Sequence, residues 1–373
     1  MKADSSALAL ALALAVAGTV QAQTITFDTP SDDRWHYPFN GSPGNRPAGS
    51  NFGAIGDVRF NNRDAEVFVA WDTSSQIDIA LGTTAYNIQS ITVTLTNEAN
   101  AEWPVDSTVD EWFTFDLNGD KMQNADGFPR GDPSDTDGES DDVDPGRPVE
   151  LYGLAFDSFF TAQTWTEFSF FVGSTVGVEG DPRDPFPFTF QAGTLDILHV
   201  EDNAAGLHNS GLPSPVFEFT PTPWAVGNPL SYTPAAQTIP FDVELPIDLS
   251  LHGGAVRRHF QQLLNDGRLF VAIASLHEAD EQVVAPTFPS FFMKEAVGII
   301  PGAKPPKLEI VLATPGVPGD IDGDGDVDAI DAGLFADVLL GTDTDPDHVQ
   351  RSDLDGSGFP DGDDAQLFIN ELL

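Results

Sequence analysis

From Gln23 to Ala313 the apolar positions of this chain mostly alternate with neighbours facing the other way. Val67, Val69 and Trp71 are interleaved with Phe68 and Ala70, and Ile91, Val93 and Leu95 with Thr92, Thr94 and Thr96. A period of two is the pattern of strands that bury one face. The same reading predicts strands over 112–117, 166–172, 186–190, 194–200, 216–219, 241–251, 268–276 and 307–312. Clusters of Pro and Gly separate these runs, which predicts a mainly β fold: a large antiparallel β-sandwich of the jelly-roll kind. One stretch changes period. Val256, Phe260, Leu263 and Leu264 share one face of a short helix over 255–265, with Gly267 as its stop signal.

The C-terminal segment follows a different rule. In Asp320-Ile-Asp322-Gly-Asp324-Gly325-Asp326-Val327-Asp328-Ala-Ile-Asp331, side-chain oxygens fall at loop positions 1, 3, 5, 9 and 12 around a glycine at 6, the EF-hand spacing. Ca²⁺ takes six to eight hard oxygens, and a short loop converges them only if it turns sharply, which Gly325 permits. The expected ligands are Asp320, Asp322, Asp324, Asp326 by its carbonyl, Asp328 and Asp331. The register returns 33 positions later as Asp353, Asp355, Ser357, Phe359 by its carbonyl, Asp361 and Asp364. Ser357 replaces a carboxylate, so the second loop is expected to hold its ion more weakly. Each loop runs into an apolar helix, and the same offset aligns Leu334 with Leu367, Phe335 with Phe368 and Leu339 with Leu372. The two loop-helix units are therefore expected to pack face to face.

This tandem, residues 320–373, resembles a dockerin module of type I. The resemblance implies a small α-helical calcium-binding unit with two Ca²⁺ ions and a cohesin-like protein as partner. The chain departs from the pattern at Pro360, where an aliphatic residue normally pairs the loops. It departs again at Ala329-Ile330 and Gly362-Asp363, where many dockerins carry a Ser-Thr recognition pair.

Charge narrows the partners further. Asp and Glu number 59 against 16 Lys and Arg, a formal net charge of -43, which repels nucleic acid and anionic membranes. Residues 1–22 read as a secretory signal: Lys2, an apolar run from Ala7 to Val16 too short to span a bilayer, and a small-residue site before Gln23. The chain is thus expected to be exported, secreted or at the cell surface, without membrane insertion. It contains no cysteine, so no disulfide can staple it there. The expected organisation is a signal over 1–22, a β domain over 23–313 with an acidic insertion around 100–240, a linker over 314–319 with two prolines and two glycines, and the calcium module over 320–373.

Arg63 to Ile77, with Trp71-Asp72-Thr-Ser74-Ser75, followed by Ile88 to Leu95, resembles the hallmark of DNRLRE-type domains. Val256 to Leu264, Phe270 to Ser275, Phe291 to Ala296 and Pro305 to Leu312 echo the end of that family. Such domains are β-sandwiches of secreted proteins, and some bind polysaccharides such as alginate. The large insertion separates the two ends here.

Other candidates are weaker. Asp116, Asn118 and Asp120 form a partial calcium loop in the insertion, with Lys121 where glycine would stand, and a third ion there competes with a plain solvated turn. His199, Glu201, Asp202 and His208 mix imidazole with carboxylate, yet no His-Glu-x-x-His helix supports zinc. Trp35, Tyr37, Trp103 and Trp224 lie near prolines or polar residues and are candidates for stacking on sugar rings, whereas Trp71, Trp112 and Trp165 sit in strand patterns and are expected in the core. The resulting expectation is an exported calcium-binding protein that binds polysaccharide or joins an extracellular assembly. Two alternatives stay open: a glycoside hydrolase or lyase delivered by its dockerin, whose acid pair cannot be nominated among so many carboxylates, and a structural surface protein without sugar affinity.

Overall fold

The computed structural model describes residues 22–37, 40–52, 65–98, 103, 105–107, 109, 147–156, 159–169, 184–191, 196–200, 221–229, 240–275, 277, 288–313, 318–323, 326–355 and 359–372. They fall into two compact units: residues 23–312, and a C-terminal unit from Ala313 onward.

The first unit is mainly β. Its strands are β1 (Gln23–Phe27), β2 (Asp32–His36), β3 (Ala48–Ser50), β4 (Glu66–Asp72), β5 (Ile88–Thr96), β6 (Val105–Asp106), β7 (Arg147–Ala155) and β8 (Phe186–Phe190). They continue with β9 (Ile197–His199), β10 (Ala225–Val226), β11 (Asn228–Pro229), β12 (Asp242–Pro246), β13 (Arg268–Ser275), β14 (Ser290–Phe292) and β15 (Lys307–Leu312). One sheet has the order β1-β15-β5-β12-β11; a second runs β2-β4-β13-β7-β8-β9, with β6 and β10 also paired to β7; β3 and β14 form a small third ladder. The pairings are antiparallel except β6 with β7.

Both large sheets feed one core. Ile91, Val93, Leu95, Val243, Leu245, Leu308 and Ile310 enter it from the first sheet, and residues 67–71 and 269–274 from the second. In β12 and β15 the burial alternates, as the period-two pattern requires of a sheet with one wet face. β4 and β13 differ because their apolar residues occupy both parities, and both strands are buried along nearly their whole length. Phe270 meets the rings of Phe156 and Trp165, with centroids at 5.4 and 6.3 Å. The segment 159–169 thus brings a large aromatic against β13.

The helix α1 (Leu251–Asp266) is regular only from Ala255, since His252, Gly253 and Gly254 have φ of 53, 64 and 82°. Gly267 closes it at φ 81°, a left-handed cap for which glycine carries no Cβ penalty. Two strand expectations need correction. Residues 166–169 form a turn rather than a strand, because Thr166 N–H donates to Ser169 Oγ and Ser169 N–H to Thr166 O, local bonds that satisfy the backbone without a ladder. The run 241–251 stops being strand at Pro246 and enters α1 at Leu251. The expected strands at 112–117 and 216–219 lie outside the described residues.

The second unit contains α2 (Ala329–Leu339), α3 (Pro346–Ser352) and α4 (Gly362–Leu372). Its small core is Ile321, Phe335 and Phe368, with the two rings stacked at 4.6 Å and 6°. The helix α3, not foreseen from periodicity, starts with Asp345 accepting from Asp347 N–H and Pro346 in its first turn, where a missing N–H costs nothing. No helix among the described residues is long and apolar enough to cross a membrane.

Candidate metal centres in the C-terminal unit

Two loops precede α2 and α4, and in each the last carboxylate organises the others. Asp331 is 1% exposed; its Oδ1 accepts from Ile321 N–H (2.7 Å) and Asp322 N–H (3.1 Å), and its Oδ2 from Asp328 N–H (2.7 Å). Asp328 in turn accepts from Ile330 N–H at 2.6 Å, so Asp328 and Asp331 form a reciprocal capping box at the start of α2. Asp320 Oδ1 accepts from Gly323 N–H at 2.7 Å and draws the first turn of the loop inward.

The second loop repeats three of these bonds at the same offset. Asp364, fully buried, accepts from Asp355 N–H at 2.9 Å and from Asp361 N–H at 2.8 Å, and Asp361 accepts from Asp363 N–H at 2.8 Å. The repeat seen in the letters is therefore a repeat of hydrogen bonds.

The consequence is electrostatic crowding. Carboxylate oxygens of Asp320, Asp322 and Asp331 lie within 4.8 Å of one another, as do those of Asp353, Asp355 and Asp364. Oxygens of Asp326, Asp328 and Asp331 meet within the same distance, so Asp326 brings its carboxylate near the centre, whereas only its carbonyl was expected there. Several negative charges this close repel strongly unless a cation intervenes. Each ionised carboxylate offers about four lone-pair directions, so oxygens already bonded to backbone N–H retain room for a metal. The donors are all hard oxygens, with no thiolate or imidazole among them, which suits Ca²⁺ rather than a softer transition metal. Arg351 of α3 donates to Ile321 O at 3.1 Å and ties the helix between the two loops to the backbone of the first.

Residues 318–373 match the dockerin type I domain. Dockerins of this type bind calcium and attach extracellular proteins to cohesins, so an assembly module of that kind forms the end of this chain. No curated protein matches the chain. Within the dockerin, Asp324 and Ser357 lie outside the described residues, and Phe359 is exposed at the rim of the second loop.

The remaining candidates fare differently. Trp103 and Trp224 are 3% and 0% exposed, which removes them as stacking platforms: Trp103 donates to Asn97 Oδ1 at 2.9 Å beside Phe241, and Trp224 is enclosed by Phe188, Phe190 and Phe260. Proximity to proline was a poor guide, because the burial of each ring is set by the aromatic side chains packed around it. Trp71 and Trp165 are buried, as their strand patterns suggested for the first. Trp35 and Tyr37 are half-buried and stacked at 5.1 Å; the Trp35 indole donates to Ser50 O, and the Arg46 guanidinium lies 5.9 Å from its ring centre. Asp116, Asn118, Asp120, Trp112, Glu201, Asp202 and His208 lie outside the described residues.

A further constellation left no local trace in the sequence. Asp33 on β2, Glu167 in the 159–169 segment and Glu295 after β14 bring carboxylate oxygens within 4.8 Å of one another, and the Lys294 ammonium lies among them. Its members are drawn from three distant parts of the chain, so no spacing rule could find it.

Proposed function

We propose that this chain is an exported component of a polysaccharide-directed extracellular assembly, in which the dockerin fastens residues 23–312 to a cohesin-bearing partner. Asp320, Asp322, Asp324, Asp326, Asp328 and Asp331 hold one Ca²⁺; Asp353, Asp355, Ser357, Phe359, Asp361 and Asp364 hold a second. The observation that carries this reading is the pair of matching carboxylate constellations, each built on a buried aspartate that also caps a helix. Bound metal neutralises the crowded charge and stabilises the folded unit by mass action. The acidic balance of the chain and the secretory pattern of residues 1–22 support work outside the cell. The polysaccharide is supported by the resemblance of the β unit to DNRLRE-type domains and by the half-exposed Trp35–Tyr37 pair, whose stacked rings, inclined by 26°, offer an aromatic surface to the apolar face of a sugar.

The test uses the full chain in two arms. Immobilised type I cohesins should retain it in calcium and release it in chelator; failure of a broad cohesin panel to retain it in calcium would overturn the attachment reading. Native gels cast with acidic and neutral polysaccharides should slow its migration, and Trp35→Ala should restore it. Equal migration of wild type and variant in every gel would reject the sugar-binding half alone.

A further inference from the structure

The Lys294 cluster has the composition of a reaction centre. The ammonium lies 3.4 Å from Asp33 Oδ1 and 3.3 Å from Glu295 Oε1, and it makes its closest contact with Glu167 Oε2. The Asp33 and Glu167 side chains are 0% and 7% exposed and that of Lys294 20%, so bulk water barely reaches the group. The Asp33 backbone N–H donates to the same Glu167 oxygen at 3.1 Å, and Lys294 N–H donates to Asp33 Oδ2 at 2.7 Å. Both carboxyls are therefore fixed by backbone bonds, from β2 and from the turn after β14, and the ammonium lies against both, an orientation that turns a slow encounter into a unimolecular step. Glu167 N–H donates to Asp32 Oδ1, and Arg268 binds Asp32 Oδ2 at 2.6 Å, so the 159–169 segment is held from behind.

We infer that Lys294 and Glu167 form an intramolecular amide bond, with Asp33 carrying the proton. An ammonium and a carboxylate condense to an amide with loss of one water. Asp33 accepts a proton from Lys294 Nζ and passes it to Glu167, and the freed amine attacks Cδ of the neutral carboxyl. The Asp33 backbone N–H steadies the oxygen that stays as the amide carbonyl. The other oxygen leaves as water, with protons supplied through Asp33 and the nitrogen. Two opposite charges disappear from a dry site, which favours the product over the buried ion pair. Burial pushes the Asp33 carboxyl up to about 7, with Lys294 pulling against it, so near neutral pH this group both takes and returns a proton. The bond would clamp the 159–169 segment to the turn after β14. The chain has no cysteine with which to make such a clamp otherwise.

Intact-mass measurement of the denatured full chain decides the matter. The wild type should be lighter than its calculated mass by one water, and proteolysis should release a branched peptide joining Lys294 to Glu167. Lys294→Arg keeps the positive charge among the carboxylates and should restore the calculated mass; Asp33→Asn should do so wholly or in large part. A wild type at full mass with Lys294 open to trypsin or acetylation would mean an ordinary ion pair and overturn the inference. A deficit that persists in Lys294→Arg would place the lost water elsewhere and overturn it equally.

Discussion

Replacement of Asp331 by alanine separates the two tasks of that carboxylate. Without metal it still holds three backbone N–H groups, those of Ile321, Asp322 and Asp328, from a position 1% exposed. Hydrogen bonds to a charged acceptor contribute about 1.5–3 kcal/mol each and do not add fully within one network, so the loss should come to roughly 3–5 kcal/mol. In amide exchange followed by mass spectrometry, that is roughly 150-fold to several-thousandfold faster exchange of the loop and the start of α2. The comparison should be made in chelator, where only the hydrogen bonds are at stake, and then in calcium, where the ligand is lost as well and the gap to wild type widens. Asp364→Ala provides an internal scale. Among the described residues Asp364 accepts two such bonds, from Asp355 and Asp361, so its effect in chelator should be smaller by about one hydrogen bond, on the order of 1–2 kcal/mol. If Asp331→Ala exchanged like wild type in chelator, the carboxylate would not be the post on which the loop is wound, and the reasoning would be refuted.

Other perturbations have equally definite outcomes. Phe335→Ala breaks the stacked pair with Phe368 and opens a cavity in a core of three buried residues; a cost of about 3–5 kcal/mol should abolish most helical dichroism of the C-terminal unit in chelator, with partial rescue by calcium. Gly153→Ala would thrust a methyl into Phe188 and Trp224, so overpacking should lower the unfolding free energy of the β unit by about 1–3 kcal/mol in urea melts read by tryptophan fluorescence. The pH dependence of the same melts should show two opposed slopes. Asp33 is raised from 3.8 to about 7 by burial, so its share of stability is full below about pH 4 and is lost as pH rises towards 7. His259, ringed by Phe188, Phe190, Trp224 and Phe260, is lowered from 6.5 to about 4 by burial, so its share is present above pH 6.5 and is lost on acidification. Asp33→Asn should leave a melt that weakens towards acid, and His259→Phe one that weakens towards neutrality; identical slopes in both variants would contradict these assignments.

What could be read from the chain follows from the range of the interactions involved. The dockerin module was legible because its acidic residues are spaced within single short loops, and Gly325 and the 33-residue offset are written in the letters. The strands β4, β5, β8, β13 and β15 were legible because burial imposes periodicity or a continuous apolar run. The turn at 166–169 was misread because Thr166 and Ser169 close it through their own side chains, which a hydropathy pattern does not register. Trp103 and Trp224 were misplaced because burial of an aromatic depends on which strands converge around it. The Asp33–Glu167–Lys294 group shows the limit most clearly: its residues meet only after the sheet, the 159–169 segment and the turn after β14 are all in place.

Because Asp331 and Asp364 each stand at the third position of a helix as well as in a crowd of carboxylates, ion capture and helix nucleation share the same atoms. Each therefore assists the other. Where calcium is scarce, charge repulsion among the carboxylates works against the hydrogen bonds that start both helices and lowers the stability of the unit. A bound cation would offset that repulsion and favour the same helix starts. Calcium supply and helix stability are thereby coupled through two aspartates.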